Sequence, residues 1–390
     1  MVILVVTKTT WLMLSYINDV LTQFGGRYFG SEQEKKAQLY TAEVLKKYCD
    51  KVVVEEFKTA LEAHFQSLKV FCLVYVVVLV LLKVNTTAAA VLGIVNSVLF
   101  MGHFVTYRHW LDFLWPQKES WNVIGDIEPT GPVKDTLIIA GHIDSVKEFK
   151  WWYRLKQAGA VLTIIAGFLI PLLGIYALVG LFVHAGWYAY GWWLFTLLAP
   201  MLIVFYDMHG TEVVHGASDN LTGVAMAVEM AKVFSESRLK NTRLRLISFG
   251  AEEAGLRGAW AYAKAHKAQL LQEKAFLFNL DTIKDVEHLT IGTSEVNTLV
   301  FYKKQYIDMV EAAFIAAQVP VKKLPLSVGA SDGSAFHIEG LPAICVIGMD
   351  SEKLDPAYHT RLDVIEGINP GALEAMKKVL IQFAHTWDNK

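Results

Sequence analysis

Four stretches of the chain, about 66–84, 87–106, 158–183 and 186–206, are apolar at nearly every position. Crossing ~30 Å of hydrocarbon takes about 20 mostly apolar residues. The last three stretches meet this with no charge in their interiors. The first has a shorter core, "VFCLVYVVVLVLL", with Lys69 and Lys83 at its ends, where long side chains reach the interface. The connections "NTT" and "HAGWYAYGWW" read as tight turns between membrane helices, and the aromatic residues of 151–153 and 187–193 suit interfacial belts. Two transmembrane hairpins are therefore expected. The competing reading, buried hairpins of a soluble core, is disfavoured by those tight connections.

Elsewhere the pattern alternates. Strands are expected at 51–57, 120–127, 135–144, 242–251, 275–281, 288–293 and 343–349, and helices at about 31–49, 220–236, 255–272, 298–318 and 370–388. Apolar strands alternating with helices predict an α/β fold, a central sheet flanked by helices and interrupted by about four transmembrane helices. The organisation that follows is a catalytic domain in three parts (1–64, 108–150 and 209–390) with hairpins at 65–107 and 151–208. The N-terminal "MVILVVTKTTWLML" lacks a basic start and a small-residue cleavage pattern. It is expected to be a strand or helix of the domain rather than a signal peptide.

Composition sharpens this picture. The chain has 390 residues, 54% hydrophobic and 19% charged, which is too apolar for an ordinary soluble enzyme. A net charge of −2 gives no footing for nucleic acid. Three cysteines, Cys49, Cys72 and Cys345, make a disulfide framework an unsuitable reading.

Acidic and histidine residues gather at the ends of the apolar strands: His142 and Asp144, Asp219 in "HGASDNLTGVA", Glu252-Glu253 in "FGAEEAGLRGA", Asp281 in "FNLDT" and His359 in "AYHTRLD". Carboxylate and imidazole suit zinc, and open α/β sheets place their sites at the carboxyl ends of strands. Any one such residue is more often a cap; five in the same context are hard to obtain by accident. Neighbours at a strand end point to opposite sides, so one glutamate is free to ligate while the other faces a substrate water.

These blocks resemble the di-zinc exopeptidases of metallopeptidase family 28. The resemblance starts at "GGRYFGSEQEKKAQLYTAEVLKKY" and runs through "NVIGDI", "IIAGHIDSV", "GASDNLTGVA", "AEEAGLRGA", "NLD", "SDGSAF" and "YHTRLD". It covers nearly everything except the apolar segments. It implies two zinc ions: His142 and Asp281 on one, Glu253 and His359 on the other, and Asp219 bridging both. It implies Asp144 as the partner orienting His142, Glu252 as general base, Asp332 and Tyr358 as substrate-pocket candidates, and a cis peptide bond between Asp219 and Asn220. One departure stands out. Where the family usually has Ser-Asp-His, this chain has Ser331-Asp332-Gly333. His337 is read as a surface helix residue, and His209 and His215 as loop histidines.

The implied activity is an aminopeptidase acting on hydrophobic or membrane-derived peptides, because the second hairpin is flanked by metal-ligand segments. A di-zinc carboxypeptidase, an N-acyl-amino-acid amidohydrolase, a glutaminyl-cyclase-like enzyme and an inactive subunit of a membrane complex are the alternatives. The expected partners are a peptide substrate and the lipid bilayer; the sequence is silent on oligomeric state. Lys58, Lys69, Arg108, Lys147, Lys150, Arg154 and Lys156 lie on the catalytic side of the spans, against Lys83 opposite. That asymmetry predicts a multi-pass membrane protein with a cytoplasmic catalytic domain.

Overall fold

The computed structural model describes residues 8–183, 188–327, 329–350, 353 and 355–390. The chain divides into two compact units. Unit 1 is Met1–Thr59, Lys118–Lys147 and Glu212–Lys390; unit 2 is Ala60–Gln117 and Glu148–Thr211.

In chain order the strands are β1 (Lys51–Thr59), β2 (Lys118–Ile127), β3 (Asp135–His142), β4 (Lys147–Phe149), β5 (His209–Val213), β6 (Thr242–Phe249), β7 (Phe276–Ile283), β8 (Thr290–Glu295), β9 (Val300–Phe301), β10 (Lys322–Leu326) and β11 (Ala343–Gly348). Unit 1 is built on a mixed sheet ordered β1-β2-β6-β3-β7-β11-β8-β10, with β9 paired to β8. Strands β6, β3, β7 and β11 run parallel at its centre, while β1, β2 and β8 make antiparallel pairings. The central strands are buried almost throughout, which is why "DTLIIAGH" and "FLFNLDTI" read as continuous apolar runs rather than alternating ones. Helices Leu221–Glu236 and Pro370–Asp388 bury apolar faces within the same core. Strands β4 and β5 form a separate two-stranded ribbon.

Several element boundaries differ from the sequence pattern. Strand β6 stops at Phe249, because the chain turns through Ala251 in the left-handed region at φ 52°. The helix expected over 255–272 breaks at His266 into Arg257–Ala265 and Lys267–Gln272. The start of the segment 298–318 pairs as β9, and its helix begins at Lys304. The strands β4, β5, β9 and β10 were not expected; two to five residues hold too few periods to read. The N-terminal stretch is helical from Lys8 to Phe24, and residues 1–7 lie outside the described ones.

Among the described residues, unit 2 contains four helices long and apolar enough to cross a membrane: Ala63–Val84, Thr86–Val105, Gln157–Val179 and Tyr188–Tyr206. The second ends in a π-helical turn, Phe100–Val105. Small residues let two of these helices approach closely. A Cβ on Gly174 would lie 2.6 Å from the carbonyl of Gly93 and 2.3 Å from Ser97 Oγ. The Ser97 hydroxyl donates to Gly93 O, and Asn96 Nδ2 donates to Phe71 O. Small-residue contacts with a few internal polar bonds are how helices associate where lipid removes the hydrophobic drive. Large apolar side chains face outward instead: Val84 is 78% exposed and Leu197 76%.

Candidate metal centre

The sheet delivers its donors from the carboxyl ends of three adjacent central strands. His142 is the last residue of β3, Asp281 lies near the end of β7, and Glu252 and Glu253 follow β6. Asp219 comes from the loop before helix Leu221–Glu236, and the peptide bond between Asp219 and Asn220 is cis. His359 joins them from a loop near the C-terminal helix, with φ at 55°.

Two groups result. His142, Asp219 and Asp281 bring one donor atom each within 4.8 Å of one another, and so do Asp219, Glu253 and His359. Asp219 belongs to both. Its Oδ1 lies 3.3 Å from His142 Nε2 and its Oδ2 3.2 Å from His359 Nε2; His359 Nε2 is also 3.2 Å from Glu253 Oε2. A tetrahedral zinc ion with nitrogen and oxygen donors at ~2.0–2.2 Å holds neighbouring donors ~3.3–3.5 Å apart. The spacing therefore fits donors that share a cation. Glu253 Oε1 is buried without a hydrogen-bond donor, as a ligand oxygen would be.

Electrostatics point the same way. Burial lowers the His359 imidazole, but the charges of Glu253 and Asp219 override it and push it up to about 10. His142 is raised well above its ordinary value against burial, by Glu252, Asp144 and Asp219. Burial would raise Asp219, yet its bonds with the two histidines hold it below the carboxylate range. Burial and the charge of Asp219 push Asp281 up to about 7. Two imidazoles thus compensate too few carboxylates, and a bound cation would replace their protons.

Asp144 organises this centre from behind. Its Oδ1 lies 3.5 Å from His142 Nδ1, leaving Nε2 to face the donor group. Its two oxygens also accept the backbone N–H groups of Glu252 and Glu253, each at 3.0 Å. The two glutamates are thus set by a turn after the strand and not by strand alternation, which corrects the sequence argument. Glu253 falls in a donor group, while Glu252 Oε2 sits 3.7 Å from His142 Nε2. Tyr358 stacks on the His359 ring, with centroids 3.8 Å apart.

Sequence reasoning gave no role to two further residues. Asp363, in "YHTRLD", accepts Ser218 N–H (2.9 Å), Ser218 Oγ–H (2.5 Å) and Asp219 N–H (3.1 Å). Glu34, buried, accepts from Gly30 N (2.6 Å), Ser120 Oγ (2.9 Å) and Ala251 N (2.8 Å), and so fixes the turn that leads to the glutamates. The signal for Glu34 was its place three residues after Ser31, at a helix start where an acidic residue normally serves only as a cap. The Ser331-Asp332-Gly333 departure also has a local cause. A Cβ on Gly333 would lie 2.6 Å from Tyr302 Oη. His337 packs edge-on against the Tyr302 ring and is in neither donor group.

Residues 201–384 match the sequence profile of Peptidase family M28. The aminopeptidase YwaD of Bacillus subtilis is 32% identical over 169 residues, 41% of this chain and 35% of that protein. The mouse aminopeptidase NAALADL1 is 27% identical over 195 residues, 43% of this chain and 26% of its own. The chain thus spans about a third or less of these relatives' length. A zinc aminopeptidase structure from Bacillus subtilis superposes with a TM-score of 0.59 at 16% identity, over 97% of this chain and 95% of its own. A glutaminyl cyclase from an Acidobacteriales bacterium gives 0.59 at 12%, over 98% and 95%. The chain has the mixed-sheet fold of these zinc aminopeptidase structures, and its C-terminal half matches the Peptidase family M28 profile.

Proposed function

We propose that this chain is a membrane-anchored di-zinc aminopeptidase that removes N-terminal residues from hydrophobic or membrane-released peptides. The observation that carries the reading is the pair of donor groups sharing Asp219. His142 and Asp281 would hold one zinc ion, Glu253 and His359 the other, with Asp219 contributing an oxygen to each. When bound, two such ions polarise a scissile carbonyl and lower the pKa of water towards ~7. Glu252, buried beside His142, accepts the proton of the attacking water and passes it to the leaving amine. Asp144 keeps the His142 ring and both glutamates in register.

The substrate class follows from connectivity. The chain leaves unit 1 after Lys147, shortly past His142 and Asp144, and returns at Glu212, just ahead of Asp219. A membrane segment tethered so closely to ligand residues suits peptides presented at a bilayer. The outward Val, Leu and Phe side chains of unit 2 support insertion, since an apolar surface of that kind is costly in water. The excess of Lys and Arg flanking the spans on the unit 1 side supports a cytoplasmic catalytic unit.

The test is a peptide library, free and N-acetylated, offered to the protein in nanodiscs with and without a zinc chelator. Chelator-sensitive ladders from free N-termini alone establish the aminopeptidase. Ladders from the C-terminus, or cleavage of acetylated peptides, replace it with a carboxypeptidase or amidohydrolase. A cysteine placed at Asn85, labelled by an impermeant reagent only from the non-cytoplasmic face, tests the orientation.

A further inference from the structure

Residues 106–117, between the second apolar helix and strand β2, belong to unit 2 and its spans rather than to the sheet. They fold back on the helix end they have just left. Tyr107 and His109 take left-handed φ values of 55° and 59°, which reverse the chain. The Gly102 carbonyl then accepts Arg108 N–H (2.8 Å), and His103 Nδ1 accepts Leu111 N–H (3.1 Å). With Nδ1 accepting, Nε2 carries the ring proton and faces Ala63 O on the first span at 3.3 Å. Trp115 Nε1 donates to Gln66 Oε1 on the same span (2.9 Å). The Trp110 ring lies against the Gly102 backbone, where a Cβ would collide with it, so only glycine leaves room.

The reversal is thus seated on two spans, three residues inside the end of the second. What it turns outward is apolar: Phe113 is 79% exposed, Leu114 58% and Trp110 50%. Three features choose what covers them. Trp110 rests beside Met101, which like Val98 is exposed on the second span, so the patch adjoins an outward apolar face. Its composition, Trp and Phe close to Arg108, is that of a membrane interface, where amphipathic rings sit at headgroup level and basic side chains reach water. Its seat at the end of a span puts it at the level where hydrocarbon gives way to headgroups.

We propose that residues 110–114 are an interfacial anchor, in which Trp110, Phe113 and Leu114 insert into the headgroup boundary of the bilayer as a membrane contact additional to the four spans. This rests on the reading of those helices as membrane-crossing and extends it to a segment that crosses nothing.

The test places a nitroxide label on single cysteines of the full chain in nanodiscs, with Cys49→Ala, Cys72→Ala and Cys345→Ala as background and thermal unfolding as the check on folding. Phe113→Cys and Leu114→Cys are compared with Val76→Cys, exposed on the first span, and Lys46→Cys, exposed on unit 1. Collision with oxygen, which concentrates in lipid, is set against collision with a water-soluble nickel chelate. The expected oxygen-to-nickel ratio at 113 and 114 lies between those at 46 and 76 and corresponds to a depth of about 5–10 Å into the boundary. Labels at 113 and 114 as open to nickel as the one at 46, with 76 in lipid, overturn the anchor and leave the spans standing. Labels shielded from both reagents mean that a second copy or another protein covers the patch, which overturns it as well. A label at 76 that meets nickel as freely as the one at 46 removes the membrane reading, and the anchor with it.

Discussion

The Asp363 carboxylate accepts the Ser218 hydroxyl at 2.5 Å and, through the same group, the backbone N–H of Ser218 and of Asp219. A loop that must present Asp219 to two donor groups is thereby pinned by a residue more than a hundred positions later. Burial is the main cause that pushes Asp363 up to about 6, against the lowering effect of its Ser218 bonds.

Replacing Asp363 with Ala should therefore act on metal binding rather than on proton transfer. Groups that orient a ligand typically cost 10–100-fold in metal affinity when removed. Competition with a fluorescent zinc chelator reads this directly. Affinity equal to wild type would mean that the Asp219 loop holds its shape without the clamp.

Glu252→Gln should do the reverse. The side chain keeps its volume and lies outside both donor groups, so zinc content stays at the wild-type level. Loss of the proton acceptor should lower kcat by about 10²–10⁴-fold, the usual span for a positioned acid–base group. Full turnover by this variant would remove Glu252 from the mechanism.

The parts of the fold legible in the sequence were those with long, uniform signals. The buried parallel strands announce themselves as unbroken apolar runs, and four helices at the expected places are apolar enough to span a bilayer. Of the donor residues, His142 and Asp281 were legible at strand ends, whereas Asp219, Glu253 and His359 lie in loops and turns and were marked by the order of the blocks that carry them. What escaped was set by tertiary contact. Glu34 looks like a helix cap, and only its approach to Ser120 and Ala251 gives it a second task. Asp363 lies in a quoted block, yet its reach to Ser218 crosses 145 positions. The two glutamates were read as a strand end, whereas a left-handed Ala251 and the Asp144 carboxylate place them in a turn.

Away from the centre, Asp388 gives a clean pH signature. It accepts backbone N–H groups of Lys240, Asn241 and Thr242 at 2.7, 2.7 and 2.8 Å, just where β6 begins. Burial works against its ionisation, but these bonds outweigh it and hold the carboxyl below its ordinary value. A depressed carboxyl stabilises the fold above the unfolded value of ~3.9 and loses that contribution as pH falls through the folded one. Asp388→Asn should therefore unfold at a lower temperature than wild type at pH 7. The gap should close progressively below about pH 4. A gap that persists undiminished at pH 2 would show that shape, not charge, is what Asp388 supplies.

Gly333 and Tyr302 should behave as a coupled pair. In the wild type a Cβ at position 333 meets Tyr302 Oη at 2.6 Å, a distance at which one of them must move. That hydroxyl is also a donor to Glu295, which accepts Ser331 N–H, so moving it loosens the turn that carries the buried Asp332. Gly333→Ala alone should lower stability. Tyr302→Phe alone should cost about 1 kcal/mol through the lost hydrogen bond. Adding Gly333→Ala to the Tyr302→Phe background should then cost distinctly less than in the wild type, because the obstructing oxygen is gone. Residues in contact ordinarily couple by about 0.5–3 kcal/mol, and a double-mutant cycle on thermal unfolding measures that difference. Strict additivity would mean that the space beside Gly333 is not set by Tyr302, and that the altered Ser-Asp-Gly turn has another origin.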